Sequence, residues 1–250
     1  MGKSSKASKS EVKDRRAVVE QMRREQQRAE KKRTFAIIGA CSVVGLAIIG
    51  AGLYPVLKES QVASGELESI GARAAEAGCQ DISTAPATGS AEHKPEGEKI
   101  FYEDAPPAFG SHYGTPAPMS RKFYTADDRP QLEYLVHNLE HGYTILWYDE
   151  TVADSEDQLD EVEAIASKFP GTSKLENKFI AAPWTADDGE AFPKGTHVAL
   201  THWSVGGSQG GGDPAEQEGI WQYCEQPTGE AVASFVEDYP YSDSPEPDAL

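Results

Sequence analysis

The sequence predicts an α/β fold, with one small central sheet, flanking helices and long Pro/Gly-rich loops, preceded by a single transmembrane helix. Residues 135–148 change at Gly142 from the four-residue spacing of a helix face to a run of β-branched and aromatic residues. An amphipathic helix at residues 155–169 is followed by short apolar segments, which is the alternation that covers a sheet with helices. Residues 35–57 contain no charged side chain.

The first 57 residues predict a membrane anchor. Residues 1–34 carry 12 Lys/Arg and 5 Asp/Glu, and are expected to form a basic cytoplasmic arm. At about 1.5 Å per residue, residues 35–57 are long enough to cross a hydrocarbon layer of roughly 30 Å. Basic residues just before this segment favour a cytoplasmic N-terminus. The alternatives are a cleaved signal peptide for the apolar segment, and lipid or nucleic-acid binding for the arm.

Residues 58–250 are therefore expected outside the cytoplasm, as a domain at 58–240 and an acidic, disordered tail at 241–250. Of the 41 Asp/Glu and 23 Lys/Arg in the chain, the arm holds 5 and 12, so the remainder carries 36 and 11. This negative charge argues against nucleic acid as a partner of the domain. The expected partners are the membrane, through residues 35–57, and a membrane protein complex.

The elements of the domain follow from local patterns. A helix is expected at 66–77, a turn-rich loop at 83–99, a strand at 98–102 and irregular chain at 105–118, where prolines accumulate. Further helices are expected at 130–141, 155–169 and 228–239, and further strands at 143–148, 178–182 and 197–203.

The cysteines predict one disulfide bond. Cys41 lies in the predicted span, whereas Cys79 and Cys224 lie outside it, where oxidation is permitted. We expect Cys79 and Cys224 to be linked; two free thiols are the alternative. Neither cysteine lies in a catalytic motif.

The histidines predict a metal site. His137 and His141 are four residues apart on one helix face, and His112 lies in a glycine-bearing loop. Neutral imidazoles are ligands for zinc and copper, so we expect these three residues to bind one of those metals. The fourth ligand would be His93, Met119 or water. The alternative is that the histidines hold the irregular segment through hydrogen bonds to carbonyls.

Residues 137–141 also match the pattern H-x-x-E-H of inverted zincins, in which Glu140 would act as general base on a zinc-bound water. That motif normally lies within a long helix of a large catalytic domain. Here Gly142 and a predicted strand follow directly, which argues against a peptidase.

The sequence resembles a known family at Cys79, residues 106–107, 111–118 and 135–142. At these positions it is similar to domain-of-unknown-function family 3105, common among membrane-anchored proteins of actinobacteria. The resemblance implies an extracytoplasmic domain on a single anchor and supplies no established activity. Tyr143 stands where a second glycine is expected after the histidine motif.

Three hypotheses follow for the function. The first is a single-pass, membrane-anchored extracytoplasmic protein with a non-catalytic, histidine-rich site for copper or zinc. The second is an accessory or structural subunit of a larger membrane complex, in which the histidines are structural. The third is a zinc metallopeptidase.

Overall fold

The structure is a computed structural model that describes residues 66–87, 91–207 and 214–250, with residues 20, 22–24 and 28 before them. The chain divides into two units, Met1–Lys58 and Glu59–Leu250, and the fold below is that of the second. The predicted span at residues 35–57 lies outside the described residues, as does most of the basic arm. Among the residues that are described, no helix combines the length and apolarity needed to cross a membrane.

A five-stranded sheet forms the centre of the domain and confirms the predicted α/β class. Its strands are β1 (Ser83–Pro86), β4 (Thr144–Tyr148), β5 (Phe179–Pro183), β6 (Val198–Ser204) and β7 (Glu218–Cys224). They lie in the order β1-β7-β6-β4-β5. Only β4 and β5 are parallel, and the other neighbours are antiparallel. Two further strands, β2 (His93–Lys94) and β3 (His112–Tyr113), form a separate parallel pair.

In the described part of this domain, four α-helices accompany the strands: α1 (Leu132–Glu140), α2 (Glu150–Ala153), α3 (Glu156–Ser167) and α4 (Gly229–Asp238). The parallel pair β4–β5 requires a crossover, which α2 and α3 supply. Polar side chains begin α2, α3 and α4, where Asp149, Ser155 and Thr228 each accept a hydrogen bond from a backbone N–H of the first turn. The predicted helices at 130–141, 155–169 and 228–239 are therefore present within two residues of their expected ends.

Both faces of the sheet are buried, which explains the continuous apolar sequence of β4. Leu146 and Tyr148 point into one core with Ile165 of α3 and Phe235 of α4. Alternate β4 side chains, such as Trp147, point into the other core, which contains α1 residues and loop aromatic residues. The helix that carries the histidines is thus packed against the sheet through its Leu135 and Leu139 face.

Two predicted elements near the start of the domain are wrong. In place of a helix at 66–77 there is a short 3₁₀ turn at Leu67–Ser69, and residues 98–102 contain no strand. The backbone of 70–77 bonds instead to residues 225–230, for example Gly229 N to Ile70 O and Glu225 N to Ala77 O. Tertiary hydrogen bonds therefore replace the local helix that propensity favours.

The predicted disulfide bond between Cys79 and Cys224 is present. It joins the segment before β1 to the end of β7, next to the backbone hydrogen bond from Gln80 N to Tyr223 O. Cys224 is buried in the core below α4. The bond therefore ties the first described segment of the domain to the central sheet.

The expected disorder of residues 241–250 is wrong, because this segment is packed against the body of the domain. Lys178 is buried and donates three hydrogen bonds from Nζ, to the carbonyl oxygens of His141, Pro247 and Ala249, at 2.6–2.7 Å. Burial lowers the pKa of Lys178 to about 8. The Glu246 N–H donates to the carbonyl oxygen of Glu140 at the end of α1. The buried ammonium group of Lys178 thus holds residues 241–250 against the domain.

His202 of β6 contributes to the same packing and predicts a pH-dependent stability. Its Nε2 lies 2.7 Å from the Asp243 carbonyl oxygen, and its Nδ1 lies 3.3 Å from that of Tyr143. Burial lowers the pKa of His202, and this effect exceeds the opposing influence of the Asp243 and Tyr143 carbonyls and the Asp243 carboxylate. The folded state therefore binds a proton on His202 less readily than the unfolded chain does.

Below the ordinary histidine pKa of about 6.5, the unfolded state gains protons that the folded state refuses, so stability falls as pH falls. We expect the His202 contribution to decrease by about 1 kcal/mol between pH 7 and pH 5.5. Urea unfolding at both values should show a smaller pH dependence for His202→Gln than for the wild type. Equal dependence in the two proteins would contradict the assignment, whatever the absolute stability of the variant.

Candidate metal centre

The site lies where β2, β3 and the last turn of α1 meet. His93 and His112 are directly opposite each other in the β2–β3 pair. His137 and Glu140 are three residues apart on α1 and therefore share a face. The Asn138 side chain accepts from Ala117 N and donates to Ala117 O, both at 2.9 Å. This amide attaches the loop after β3 to the helix and sets the two ligand-bearing segments side by side.

Four potential ligands converge at this point. One atom from each of His93, His112, His137 and Glu140 lies within 4.8 Å of the others. The Glu140 Oε2 atom is 3.0 Å from His112 Nε2 and 3.8 Å from His93 Nε2. The rings of His93 and His137 are stacked, with centroids 5.0 Å apart. His112, His137 and Glu140 are buried, whereas the His93 side chain is 54% exposed and marks the solvent side.

Backbone carbonyls orient the two buried imidazoles. His112 Nδ1 contacts the Gly110 carbonyl oxygen at 2.8 Å, and His137 Nδ1 contacts that of Tyr113. A carbonyl accepts a hydrogen bond, so each Nδ1 carries the proton and each Nε2 presents its lone pair. This is the usual arrangement of metal-binding histidines, whose second nitrogen donates to a carbonyl or carboxylate.

Two buried polar atoms at the point where these side chains meet lack hydrogen-bond partners. His112 Nε2 and Glu140 Oε2 are buried, and neither makes a hydrogen bond within the described part of the chain. They are 3.0 Å apart, which is the distance of an ion pair, and this contact helps to lower the pKa of the Glu140 carboxyl. Unpaired buried polar atoms cost free energy, and two of them at one point are what a metal ion would satisfy.

The pKa values of His137 and Glu140 also favour the protonation states that bind a metal ion. Burial lowers the pKa of His137, so its imidazole is neutral at pH 7. Burial alone would raise the pKa of the Glu140 carboxyl, but the neighbouring His112, His137 and His93 outweigh it and hold that pKa below its ordinary value. Neutral imidazole and ionised carboxylate are the forms that coordinate metals.

His141 was predicted in the same ligand set, but the structure places it in an adjacent group. One atom from each of Glu140, His141 and Glu246 lies within 4.8 Å of the others. His141 Nε2 is 2.9 Å from His137 Nε2 and 3.5 Å from Glu246 Oε2. Burial lowers the pKa of His141 to about 4, so this ring is also neutral. Helical spacing places His137 and His141 on one face, but it cannot show which side chains share a centre.

The remaining candidates lie elsewhere. Met119, considered as a thioether ligand, belongs to the apolar core cluster that includes Leu135. His197 contacts the Asp149 carboxylate at 2.8 Å. His202, also outside the predicted set, is buried in β6. Both metal-capable groups in the described residues therefore consist of nitrogen and oxygen donors.

Sequence reasoning missed Glu140 and Glu246 as potential ligands. Glu140 was considered only as the general base of a peptidase, although its three-residue spacing from His137 is the signal that could have found it. Nothing in the local sequence links Glu246 to the histidines, because a tertiary contact brings it there. In the peptidase pattern the two histidines share one zinc ion. Here Glu140, and not His141, is grouped with His137.

Comparison with known families identifies the domain that contains this site. Residues 93–250 match DUF3105, described as a protein of unknown function. The chain belongs to the DUF3105 family. The DUF3105 match includes all four residues of the centre and the whole C-terminal segment, whereas Cys79 precedes it. No curated protein and no solved structure matches the chain.

Proposed function

We propose that this DUF3105 protein is a membrane-anchored extracytoplasmic protein that binds one divalent transition-metal ion, without catalysis, through His93, His112, His137 and Glu140. The observation that carries the proposal is the orientation of the buried imidazoles. The Gly110 and Tyr113 carbonyls hold the Nδ1 protons, so Nε2 of His112 presents its lone pair to Glu140 Oε2, a buried carboxylate oxygen that makes no hydrogen bond to a described residue. A purely structural cluster would be expected to satisfy that carboxylate.

The donor set favours zinc or copper(II). Three imidazole nitrogens and one carboxylate oxygen are donors of intermediate softness, which suit Zn²⁺ and Cu²⁺. Copper(I) prefers sulfur donors, and neither group of candidate ligands contains one. Of the copper and zinc ions that the sequence predicts for this site, the donor atoms therefore favour the divalent ones. Zn²⁺ is the preferred ion because four protein ligands match its tetrahedral coordination.

The number of ligands argues for binding rather than hydrolysis. Catalytic zinc sites keep an open position for water, whereas sites with four protein ligands are usually structural or storage sites. Here the fourth position is taken by Glu140, the residue that a peptidase would need as its base.

The anchor is part of the proposal on sequence grounds. The 23 uncharged residues at 35–57 and the basic arm before them support one span with the N-terminus in the cytoplasm. The disulfide bond between Cys79 and Cys224 supports an oxidising location for the domain.

An accessory subunit with structural histidines is the second candidate. The hydrogen bond from His137 to the Tyr113 carbonyl favours it, because this bond also holds β3 against α1. The bond from His112 to Gly110 stabilises the turn just before β3. This candidate predicts that the histidines stabilise the fold with or without a metal ion.

Metal titration separates the two candidates. Calorimetry on the demetallated full-length chain in detergent, with Cys41→Ser to remove the free thiol, should show one Zn²⁺ bound per chain. Glu140→Gln keeps the size of the side chain but removes its charge, and we expect at least about 100-fold weaker binding. His197→Gln, at a histidine paired with Asp149 outside the centre, should bind as the wild type does.

Equal and weak binding by the wild type, Glu140→Gln and His197→Gln would contradict the proposal and favour structural histidines. Peptide hydrolysis by the zinc-loaded wild type, lost in Glu140→Gln, would contradict its non-catalytic part.

A further inference from the structure

A row of ligand-type atoms connects the buried centre with the surface. Glu246 Oε2 lies 3.5 Å from His141 Nε2, which lies 2.9 Å from His137 Nε2 in the centre. Exposure falls along the same row, because the Glu246 side chain is 56% exposed and that of His141 is 7% exposed. Glu140 belongs to both groups of potential ligands. The outer group of Glu140, His141 and Glu246 is therefore in contact with both solvent and the centre.

The outer group is held in place by the fold. The Glu246 N–H donates to the Glu140 carbonyl oxygen, and Lys178 Nζ donates to the carbonyl oxygens of His141 and Pro247. These bonds fix the backbone on both sides of the Glu246 side chain. A free carboxylate on a mobile tail would have to be ordered by the ion at an entropic cost, whereas this one is already positioned.

Two buried members of the outer group have unsatisfied atoms. His141 Nδ1 and Glu140 Oε2 are buried and make no hydrogen bond to any described residue. The Nε2 atom of His141 faces the Nε2 lone pair of His137, since His137 carries its proton on Nδ1. These atoms gain a partner when a cation approaches from the Glu246 side.

The local charges decide how the outer group can act. Two divalent ions, the carboxylates of Glu140 and Glu246, and the Lys178 ammonium would sum to +4 − 2 + 1 = +3 in a largely buried volume. One divalent ion with the same groups gives +2 − 2 + 1 = +1. Since uncompensated buried charge is strongly unfavourable, the two groups should hold one ion in turn rather than two ions together.

We infer that Glu140, His141 and Glu246 form a loading site, where a divalent metal ion first binds before it passes to His93, His112 and His137. The inference rests on the proposed metal-binding function. In the transfer, the ion exchanges Glu246 and His141 for the three histidines one bond at a time, while Glu140 stays bound. No electron is transferred, and no net proton is released: the proton on His141 Nε2 moves to the unpaired Nδ1 of the same ring, which frees the Nε2 lone pair for the ion.

A loading site changes rates without changing the final equilibrium. We expect Glu246→Gln to slow Zn²⁺ uptake by the demetallated full-length chain about tenfold, as judged by stopped-flow competition with a fluorescent chelator. Release to excess EDTA should slow by the same factor, so that the Kd stays within about twofold of the wild-type value. Uptake and release should slow equally because Glu246 does not bind the ion in the final state. It stabilises only the intermediate through which the ion enters and leaves.

Asp248→Asn is the matched control. It removes one exposed carboxylate from the same segment, outside both ligand groups. This variant should alter both rates by less than twofold, which separates ligation by Glu246 from general attraction of cations to an acidic surface.

Three results would overturn the inference. Rates for Glu246→Gln equal to those for Asp248→Asn would show that Glu246 takes no part in loading. Two Zn²⁺ ions per wild-type chain, or a weaker Kd in Glu246→Gln with unchanged uptake, would show that Glu246 is a ligand of the final state. Absence of Zn²⁺ binding by the wild type would contradict the proposed function itself, and is distinguished from the first two results because they require a bound ion.

Discussion

Replacing Cys79 and Cys224 together by alanine is expected to lower the free energy of unfolding by about 3–5 kcal/mol. The two residues are 145 positions apart, so the bond removes a large loop-closure entropy from the unfolded chain. The hydrogen bonds from Gln80 N to Tyr223 O and from Glu225 N to Ala77 O flank it, and they have to form without the covalent constraint in the variant.

Urea unfolding of the double variant beside Cys41→Ser, which also removes thiol chemistry but leaves the bond intact, measures this contribution. A reducing agent should destabilise the wild type by a similar amount and should leave the double variant unchanged. A loss below about 1 kcal/mol would mean that the segment before β1 docks on the sheet independently of the disulfide bond.

Gly142→Ala is expected to lower the free energy of unfolding by about 3 kcal/mol or more. Gly142 ends α1 with φ of +88°, a conformation that costs about 1 kcal/mol for a residue with a Cβ atom. A methyl group there would overlap the carbonyl oxygen of Tyr241 at the start of the C-terminal segment. Either the backbone of residues 241–250 moves, or the C-terminal end of α1 unwinds. Both changes disrupt packing beside the candidate metal centre.

Gly171→Ala is the control that measures only the conformational cost of a positive φ, without a steric overlap. Gly171 has φ of +73°, and an added Cβ atom would meet none of the described residues within 4 Å. This variant should lose only about 1 kcal/mol. Similar losses for Gly142→Ala and Gly171→Ala in urea unfolding would contradict the proposed close packing of residues 241–250 on α1.

Local sequence patterns were sufficient to predict the helices and strands with the clearest periodicity. The apolar face of α3 and the residues that begin it, Ser155, Glu156 and Asp157, are local signals that predict a helix at this position. The change of period at Gly142 likewise predicts α1 and β4, since a left-handed glycine is needed to end one and begin the other. The disulfide pairing followed from compartment alone, because only two cysteines remain outside the predicted span.

The same patterns failed where tertiary hydrogen bonds compete with local propensity. Residues 66–77 have the composition of a helix, but their backbone groups are used by residues 225–230. Residues 241–250 have the composition of a disordered tail, yet the Lys178 ammonium and the His202 imidazole bind their carbonyl groups. Amino-acid composition indicates only the average conformational entropy that a segment loses when it becomes ordered. It contains no information on a single buried cation, such as Lys178, whose hydrogen bonds offset that loss.

By itself, the sequence determined the α/β class, the helix that presents His137 and His141, the disulfide partners and the apolar segment predicted to be an anchor. These features depend on periodicity, spacing and compartment, which are local properties of the chain. Only the tertiary structure decided which of the candidate residues meet, because His93, His112 and Glu246 are distant from α1 in sequence. The pairing of β2 with β3 and the attachment of the C-terminal segment bring them to α1. In the structure Glu140 is grouped with His93, His112 and His137, and His141 lies in the adjacent group with Glu140 and Glu246.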